Sequence, residues 1–81
     1  MAVTDTPRFL RLSDVAEVLN TSSAQVYALV RRGDLDAIKI GGRGQWRVEA
    51  SVLEEYIARL YSETRDFVAS HPMAETEVPA E

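Results

Sequence analysis

Residues 22–32 read Ser-Ser-Ala-Gln-Val-Tyr-Ala-Leu-Val-Arg-Arg, and this stretch predicts a short amphipathic helix. Val26, Leu29 and Val30 recur at the i, i+3, i+4 spacing that places side chains on one helical face. The hydroxyl of Ser22 can cap the first turn, and a glycine follows at position 33, where helices often end in a left-handed residue. The sequence therefore predicts a helix with one face against a small core and the other available to a partner.

The outer face of this helix combines small, amide-bearing and basic side chains. They are Ala24, Gln25, Tyr27, Ala28, Arg31 and Arg32. Small residues allow close approach, and a glutamine amide can pair with the edge of adenine, so the set is typical of a helix that enters a DNA major groove. Any amphipathic surface helix also carries polar residues outside, and this stretch alone favours that plainer interpretation until the neighbouring segments are considered.

The preceding residues predict a second, shorter helix. Phe9, Leu10 and Leu12 form an apolar approach to it. Ser13 is the expected N-cap, the helix covers residues 14–19, and Asn20 suits its C-terminal end because asparagine tolerates the left-handed conformation. Two short helices joined by a few residues form a helix-turn-helix pattern.

Residues 37–48 predict a β-hairpin, because apolar and polar residues alternate on both sides of a turn with three glycines at 41–44. The side chains expected to face the helices are Ile38, Ile40, Trp46 and Val48. The side chains expected on the outer face and tip are Lys39, Arg43, Gln45 and Arg47. A two-stranded hairpin is unstable alone, so we expect it to lean on the helices.

A long third helix is expected to reach about Ala69, nearly 20 residues or about 30 Å. Ser51 and Glu54 match a capping box, although Glu49 could cap instead. The second half of this helix carries an apolar stripe without an obvious partner inside the domain. Its members are Leu60, Tyr61, Thr64, Phe67 and Val68. Self-association would cover the stripe; fraying or folding back of the helix is the alternative.

Charge is distributed unevenly along the 81 residues, which carry a net charge of -4. Residues 8–48 hold seven basic and four acidic side chains, a net +3, whereas residues 49–81 hold two basic and eight acidic ones, a net -6. We expect one domain over residues 9–69, between a flexible arm at 1–8 and a disordered acidic tail at 70–81. The basic front suits an anionic partner.

Composition argues against several classes of function. There is no cysteine and one histidine, so we expect neither a disulfide, nor a metal site, nor any cofactor. No catalytic Ser/His/Asp or Cys/His set is recognisable, and an enzyme is the least favoured interpretation. No stretch resembles a membrane span or a secretion signal, so we expect a cytoplasmic, nucleoid-associated protein that does not bind membranes.

The ordered segments together predict a mainly α fold with a small β-hairpin, a winged helix-turn-helix. Residues 12–19, 21–27, 32–35, 38–40 and 46–48 read Leu-Ser-Asp-Val-Ala-Glu-Val-Leu, Thr-Ser-Ser-Ala-Gln-Val-Tyr, Arg-Gly-Asp-Leu, Ile-Lys-Ile and Trp-Arg-Val. This series resembles the excisionase and MerR-like winged helix-turn-helix family. It is most similar to the small stand-alone BldC-like regulators of actinobacteria, over about residues 9–60.

The resemblance implies binding of double-stranded DNA, with the second helix in the major groove and the hairpin as a wing on the backbone or minor groove. It assigns DNA contacts to Thr21, Ser22, Ser23, Ala24, Gln25, Tyr27, Ala28, Arg31, Arg32, Lys39, Arg43, Gln45 and Arg47. Gln25 is the expected base reader, while Trp46 is expected to support the hairpin. The resemblance also implies no small-molecule effector domain in this chain.

Three functions remain in competition at this point. The leading one is a bacterial transcriptional regulator. The second is an architectural DNA-binding protein of the excisionase kind. The third is a protein-interaction adaptor that assembles through the apolar stripe of the third helix, with the helix-turn-helix serving as scaffold. The oligomeric state is open between a dimer through the third helix and copies side by side on direct repeats.

Overall fold

A computed structural model describes residues 7–72 and contains three helices and three strands in that segment. In chain order these are β1 (Phe9–Arg11), α1 (Leu12–Leu19), α2 (Ser23–Arg32), β2 (Ile38–Ile40), β3 (Gln45–Glu49) and α3 (Ala50–Ser70). The mainly α fold with a hairpin wing is therefore confirmed. Most of the expected flexible arm and acidic tail lies outside the described residues.

The sheet has three antiparallel strands in the order β1-β3-β2. We expected only an apolar approach to α1 at residues 9–12, but Phe9 pairs with Glu49 and Leu10 with Val48 along β3. Three residues are too few for a period-two pattern, so this strand has no clear local signal. It gives β3 a partner on each side, and the added strand supplies the stability that a two-stranded hairpin lacks.

One small core joins the three helices and β3. Its fully or nearly fully buried residues are Val15, Ala16, Val26, Leu29, Leu35, Val48, Leu53 and Tyr56. Val26 and Leu29 are the inner face expected for α2, and Val48 comes from the wing. Leu35, in the connector after α2, is 1% exposed and completes the core between the helices and the hairpin. The wing is thus attached to the core through β3.

Three of the four ends of the first two helices follow the capping chemistry expected from the sequence. The Ser22 hydroxyl accepts a hydrogen bond from the backbone N–H of Gln25 at 3.1 Å. Asn20 ends α1 with φ of 55°, and Gly33 ends α2 with φ of 84°. Both angles are in the left-handed region that asparagine tolerates and glycine adopts freely. The caps at Asn20 and Ser22 bound the short turn between α1 and α2.

Two expected caps were wrong. Helix α1 begins at Leu12 with Arg11 as N-cap instead of Ser13, and the Asp14 carboxylate accepts from the Arg11 backbone N–H at 3.1 Å. This hydrogen bond, with a second from the Arg11 side chain, lowers the pKa of Asp14. In α3 the N-cap is Glu49, the alternative considered above, and no side-chain capping bond forms there. In both cases strand pairing continues up to the helix and decides where the helix starts.

The facing of β2 was also predicted wrongly. Ile38 and Ile40 were expected to point inward, yet they are 50% and 44% exposed. The register pairs Lys39 with Trp46, and directly opposite residues share a sheet face. Because Val48 and Trp46 point toward the helices, Lys39 does so too, and both isoleucines lie on the outer face. The register of β2 against β3 decides which side chains face inward, and it overrides the hydrophobic alternation of β2. A shift of one residue in this register would move every side chain of the strand to the other face of the sheet.

Helix α3 covers 21 residues and ends one residue beyond the expected end. Its first half is anchored: Leu53 and Tyr56 are buried, and the Arg59 guanidinium donates to the Asp34 carbonyl at 2.7 Å. From Ala58 to Ser70 every residue is exposed. The second half therefore projects from the domain.

Candidate nucleic-acid interface

The exposed face of α2 has a larger side chain along each edge and mostly small side chains between the two edges. Tyr27 and Gln25 lie on opposite flanks, because two positions along a helix correspond to about 200° of rotation. Ala24, Ala28 and Arg31 lie between them, opposite the buried Val26 and Leu29. The N-terminal residues of this surface are exposed, namely Thr21, Ser22, Ser23 and Ala24. This end also presents the backbone N–H groups of the first helical turn.

A row of two aromatic rings and two cations connects α2 to the wing. The rings of Tyr27 and Trp46 meet edge-to-face, with centroids 6.2 Å apart and planes at 67°. The Arg31 guanidinium carbon lies 5.9 Å from the Tyr27 centroid, and the Lys39 ammonium nitrogen lies 5.8 Å from the Trp46 centroid. Such distances are typical of cation–π contacts. The two rings are in contact with each other, and each carries one cation: Arg31 of α2 lies beside Tyr27, and Lys39 of the wing lies beside Trp46.

The wing tip is the turn at residues 41–44, where Gly41 and Gly44 adopt positive φ. Arg43 is exposed at this tip. Gln45 and Arg47 lie on the outer face of the sheet, opposite Ile40 and Ile38 in the register. The Arg47 guanidinium donates to the Trp46 carbonyl at 2.9 Å. Lys39 therefore belongs to the surface shared with α2, whereas Gln45 and Arg47 belong to the far side of the wing.

Ion pairs divide the basic side chains into two groups. Arg8 pairs with Glu49, Arg11 with Asp14, Arg32 with Asp34 and Arg59 with Glu63. Within residues 7–72, the basic side chains without a carboxylate at ion-pair distance are Arg31, Lys39, Arg43, Arg47 and Arg65. Four of these five lie on α2 or the wing, so uncompensated positive charge concentrates on these two elements.

Comparison with known families decides the identity of the domain. A family model described as "Helix-turn-helix domain" matches residues 9–61, which is more than half of the chain and extends from β1 into α3. The chain belongs to this helix-turn-helix domain family. No curated protein sequence and no solved structure was found to match the chain.

Membership of the helix-turn-helix domain family makes this a DNA-binding protein. The two helices joined by Asn20, Thr21 and Ser22 are the motif itself, and the family match also includes the wing. Within residues 7–72, no three His, Cys, Asp or Glu side chains are grouped as a metal site would require. No helix in the same segment combines the length and the apolar composition needed to cross a lipid bilayer.

Sequence reasoning on this helix-turn-helix domain missed the row that joins its two halves. Tyr27 and Trp46 are 19 positions apart, and no periodicity connects a helix with a strand that follows a turn. Lys39 was assigned to the outer face because the alternation of β2 suggested inward-facing isoleucines, whereas its pairing with Trp46 places it on the side of the helices. The ion pair between Arg32 and Asp34 was also missed. A signal for it was present in the sequence, because the two residues carry opposite charges and lie on either side of Gly33, which ends the helix.

Proposed function

We propose that this protein is a transcriptional regulator that inserts α2 into the major groove and lays the wing on the neighbouring DNA backbone. The observation that carries the proposal is the row Arg31–Tyr27–Trp46–Lys39, whose contacts connect α2 with the wing and support their acting together as one basic surface. A duplex presents phosphates on both sides of its major groove, so a helix and a wing fixed relative to each other can engage both together.

The proposed contacts fall into three groups. The hydroxyls of Thr21, Ser22 and Ser23, together with the backbone N–H groups of the first turn of α2, hold phosphate. Ala24 and Ala28 allow the helix to approach the bases, and Gln25 reads adenine through its amide. The proposed phosphate contacts of the two basic elements are Arg31, Lys39 and Arg43.

The remaining candidates receive secondary roles. Tyr27 holds the wing against α2 and borders the backbone contact. Arg32 contacts phosphate after release from Asp34, whose exposed ion pair is worth little. Gln45 and Arg47 contact the backbone from the far side of the wing, where the groove curves around it. Cytoplasmic, nucleoid-associated localisation is part of the same proposal.

The decisive test separates base reading from charge. A preferred duplex is obtained by in vitro selection, and binding to it and to a scrambled duplex is measured by fluorescence anisotropy. We expect Gln25→Ala to remove about 1–3 kcal/mol of discrimination between the two duplexes, because one bidentate base contact is lost. We expect Arg43→Ala to weaken binding to both duplexes by similar factors, because phosphate contacts carry no sequence information.

The matched control for Arg43→Ala is Arg65→Ala, which removes the same charge from the projecting half of α3. Arg65→Ala should leave both affinities close to those of the unaltered protein. Equal losses on both duplexes for Gln25→Ala would refute its reading role. Sharp bending of the selected duplex, measured by energy transfer between its ends, would instead favour the architectural role.

Salt dependence counts the phosphate contacts independently. The five proposed cationic contacts, Arg31, Arg32, Lys39, Arg43 and Arg47, give about five neutralised phosphates, so log affinity should fall with log salt at a slope near -4.5. Titrations between low and moderate salt measure this slope. A slope near zero would contradict an electrostatic interface, and Lys39→Ala should make the slope shallower by about one.

A further inference from the structure

The projecting half of α3 carries an uncharged stripe along one face. Leu60, Thr64 and Phe67, together with the half-buried Ile57 immediately before this half, follow the alternating spacing of three and four residues that defines a coiled-coil seam, and Tyr61 and Val68 widen it. The charged residues of this half, Arg59, Glu63, Arg65 and Asp66, all lie outside the stripe. Tyr61, Phe67 and Val68 are each more than half exposed. A helix partner packed on the stripe would therefore meet uncharged side chains, with Glu63 at the border of the contact.

The base of this stripe borders a shallow, open groove. A groove of about 300 Å³ is lined by Ile57, Leu60, Tyr61 and Thr64 of α3, with Leu19 of α1 as its side wall. Those four α3 positions are i, i+3, i+4 and i+7, the set that surrounds an inserted side chain in knobs-into-holes packing. The shape of the groove thus fits a side chain from another helix.

The chain contains a matching side chain on the same stripe. Phe67 lies one heptad beyond Leu60, about 10 Å further along the helix axis. Its ring stacks on His71 at 4.1 Å between centroids and remains 52% exposed. Phe67 cannot reach the groove beside its own helix, because Phe67 and the groove residues lie at fixed positions along the same continuous helix. The Phe67 of a second copy can.

We propose that two copies of this chain form an antiparallel dimer through α3, in which each Phe67 enters the groove of the partner. Reciprocal insertion of Phe67 near Leu60 places the two-fold axis beside Thr64, a small residue that permits close approach of the two helices. One contact is made twice, as a closed two-fold dimer requires. The proposal does not depend on DNA binding.

The position of the domain body determines the direction of pairing. Leu53 and Tyr56 bury the first half of α3 against the body, and Leu19 of α1 borders the same face as the stripe. A parallel partner would bring its own body into this one. In an antiparallel pair, the C-terminal end of the partner's α3 lies at the groove. The globular part of the partner then lies at the opposite end of the contact, away from the first copy's globular part.

The extent of the contact determines the expected affinity. The overlap from Ile57 to Ser70 is about 20 Å of helix, which is small beside the roughly 1,600 Å² of a standard interface. We expect a reversible dimer with a dissociation constant above about 10 µM. A weak dimer of this kind becomes populated when two copies are held close together, for example on neighbouring sites.

Sedimentation equilibrium of the full chain without DNA tests the dimer. We expect a concentration-dependent monomer–dimer equilibrium up to about 500 µM, and at least a tenfold weaker dimer for Phe67→Asp. Ser62→Asp introduces the same charge on the opposite face of the same helix and should dimerise like the unaltered protein. Circular dichroism should report equal helix content for both variants.

Cysteine cross-linking tests the direction, because the natural chain has no cysteine. Under oxidation, a mixture of Leu60→Cys and Phe67→Cys chains should form the mixed disulfide in preference to either homodimer. Preferential Leu60→Cys homodimers would overturn the antiparallel arrangement. A chain that stays monomeric at about 500 µM, or a Ser62→Asp variant as impaired as Phe67→Asp, would overturn the dimer. None of these results bears on whether α2 binds DNA.

Discussion

Replacing Trp46 by alanine is expected to weaken DNA binding by about 10- to 100-fold, or roughly 1.4–2.8 kcal/mol. The indole contacts the Tyr27 ring and lies under the Lys39 ammonium, so its loss removes the aromatic contact between the wing and α2. The wing stays attached to the core through Val48, but the contact that fixes its orientation against α2 is gone, and binding must restrict the added motion, which costs free energy. Fluorescence anisotropy on the selected duplex measures the affinity.

Two control variants separate orientation from stability. Trp46→Phe keeps an aromatic edge against Tyr27 and should retain most of the affinity. Phe9→Ala removes an aromatic ring from the outer face of the same sheet and should have a smaller effect on DNA binding. If Trp46→Ala binds like the unaltered protein while its fold is intact by circular dichroism, the row does not position the wing.

Replacing Leu35 by alanine is expected to reduce the free energy of unfolding by about 2–4 kcal/mol, because it opens a cavity in the core. Leu35 is 1% exposed and contributes one of the largest fully buried side chains of the described segment. For a domain of this size the total free energy of unfolding is commonly 5–15 kcal/mol, so the loss is a large share of it. Urea unfolding followed by circular dichroism measures the change.

The control is Ile38→Ala, three positions along the chain. Ile38 is 50% exposed on the outer face of β2, so its truncation should cost less than about 1 kcal/mol. Had the isoleucine pointed inward, as the alternation alone indicates, the two variants would be equally destabilised. Comparable losses would therefore contradict the facing of β2 described here.

Local chemistry made a large part of the fold predictable. The caps at Asn20, Ser22 and Gly33 depend on one or two residues and on general backbone preferences, and all three were confirmed. The period of the apolar residues correctly indicated the inner face of α2 and the length of α3. The wing was recognisable because three glycines interrupt two alternating stretches.

Features that depend on long-range pairing were not predictable in the same way. β1 exists because β3 offers it an edge 36 to 40 residues away in the chain. The facing of Lys39 depends on its register with Trp46, and the capping of α1 by Arg11 depends on where β1 ends. The candidate site shares this limit: its residues were named from helix spacing and resemblance, but their connection through Tyr27 and Trp46 required coordinates.

The row between α2 and the wing has a practical consequence for spectroscopy. Trp46 is the single tryptophan of the chain and lies beside Tyr27 and Lys39 at the junction of the two elements. Emission excited selectively from the indole therefore arises from one known place in the molecule. The unlabelled protein carries an intrinsic optical reporter at the junction, and changes in its intensity or wavelength during titration can be assigned to that junction without attaching a dye.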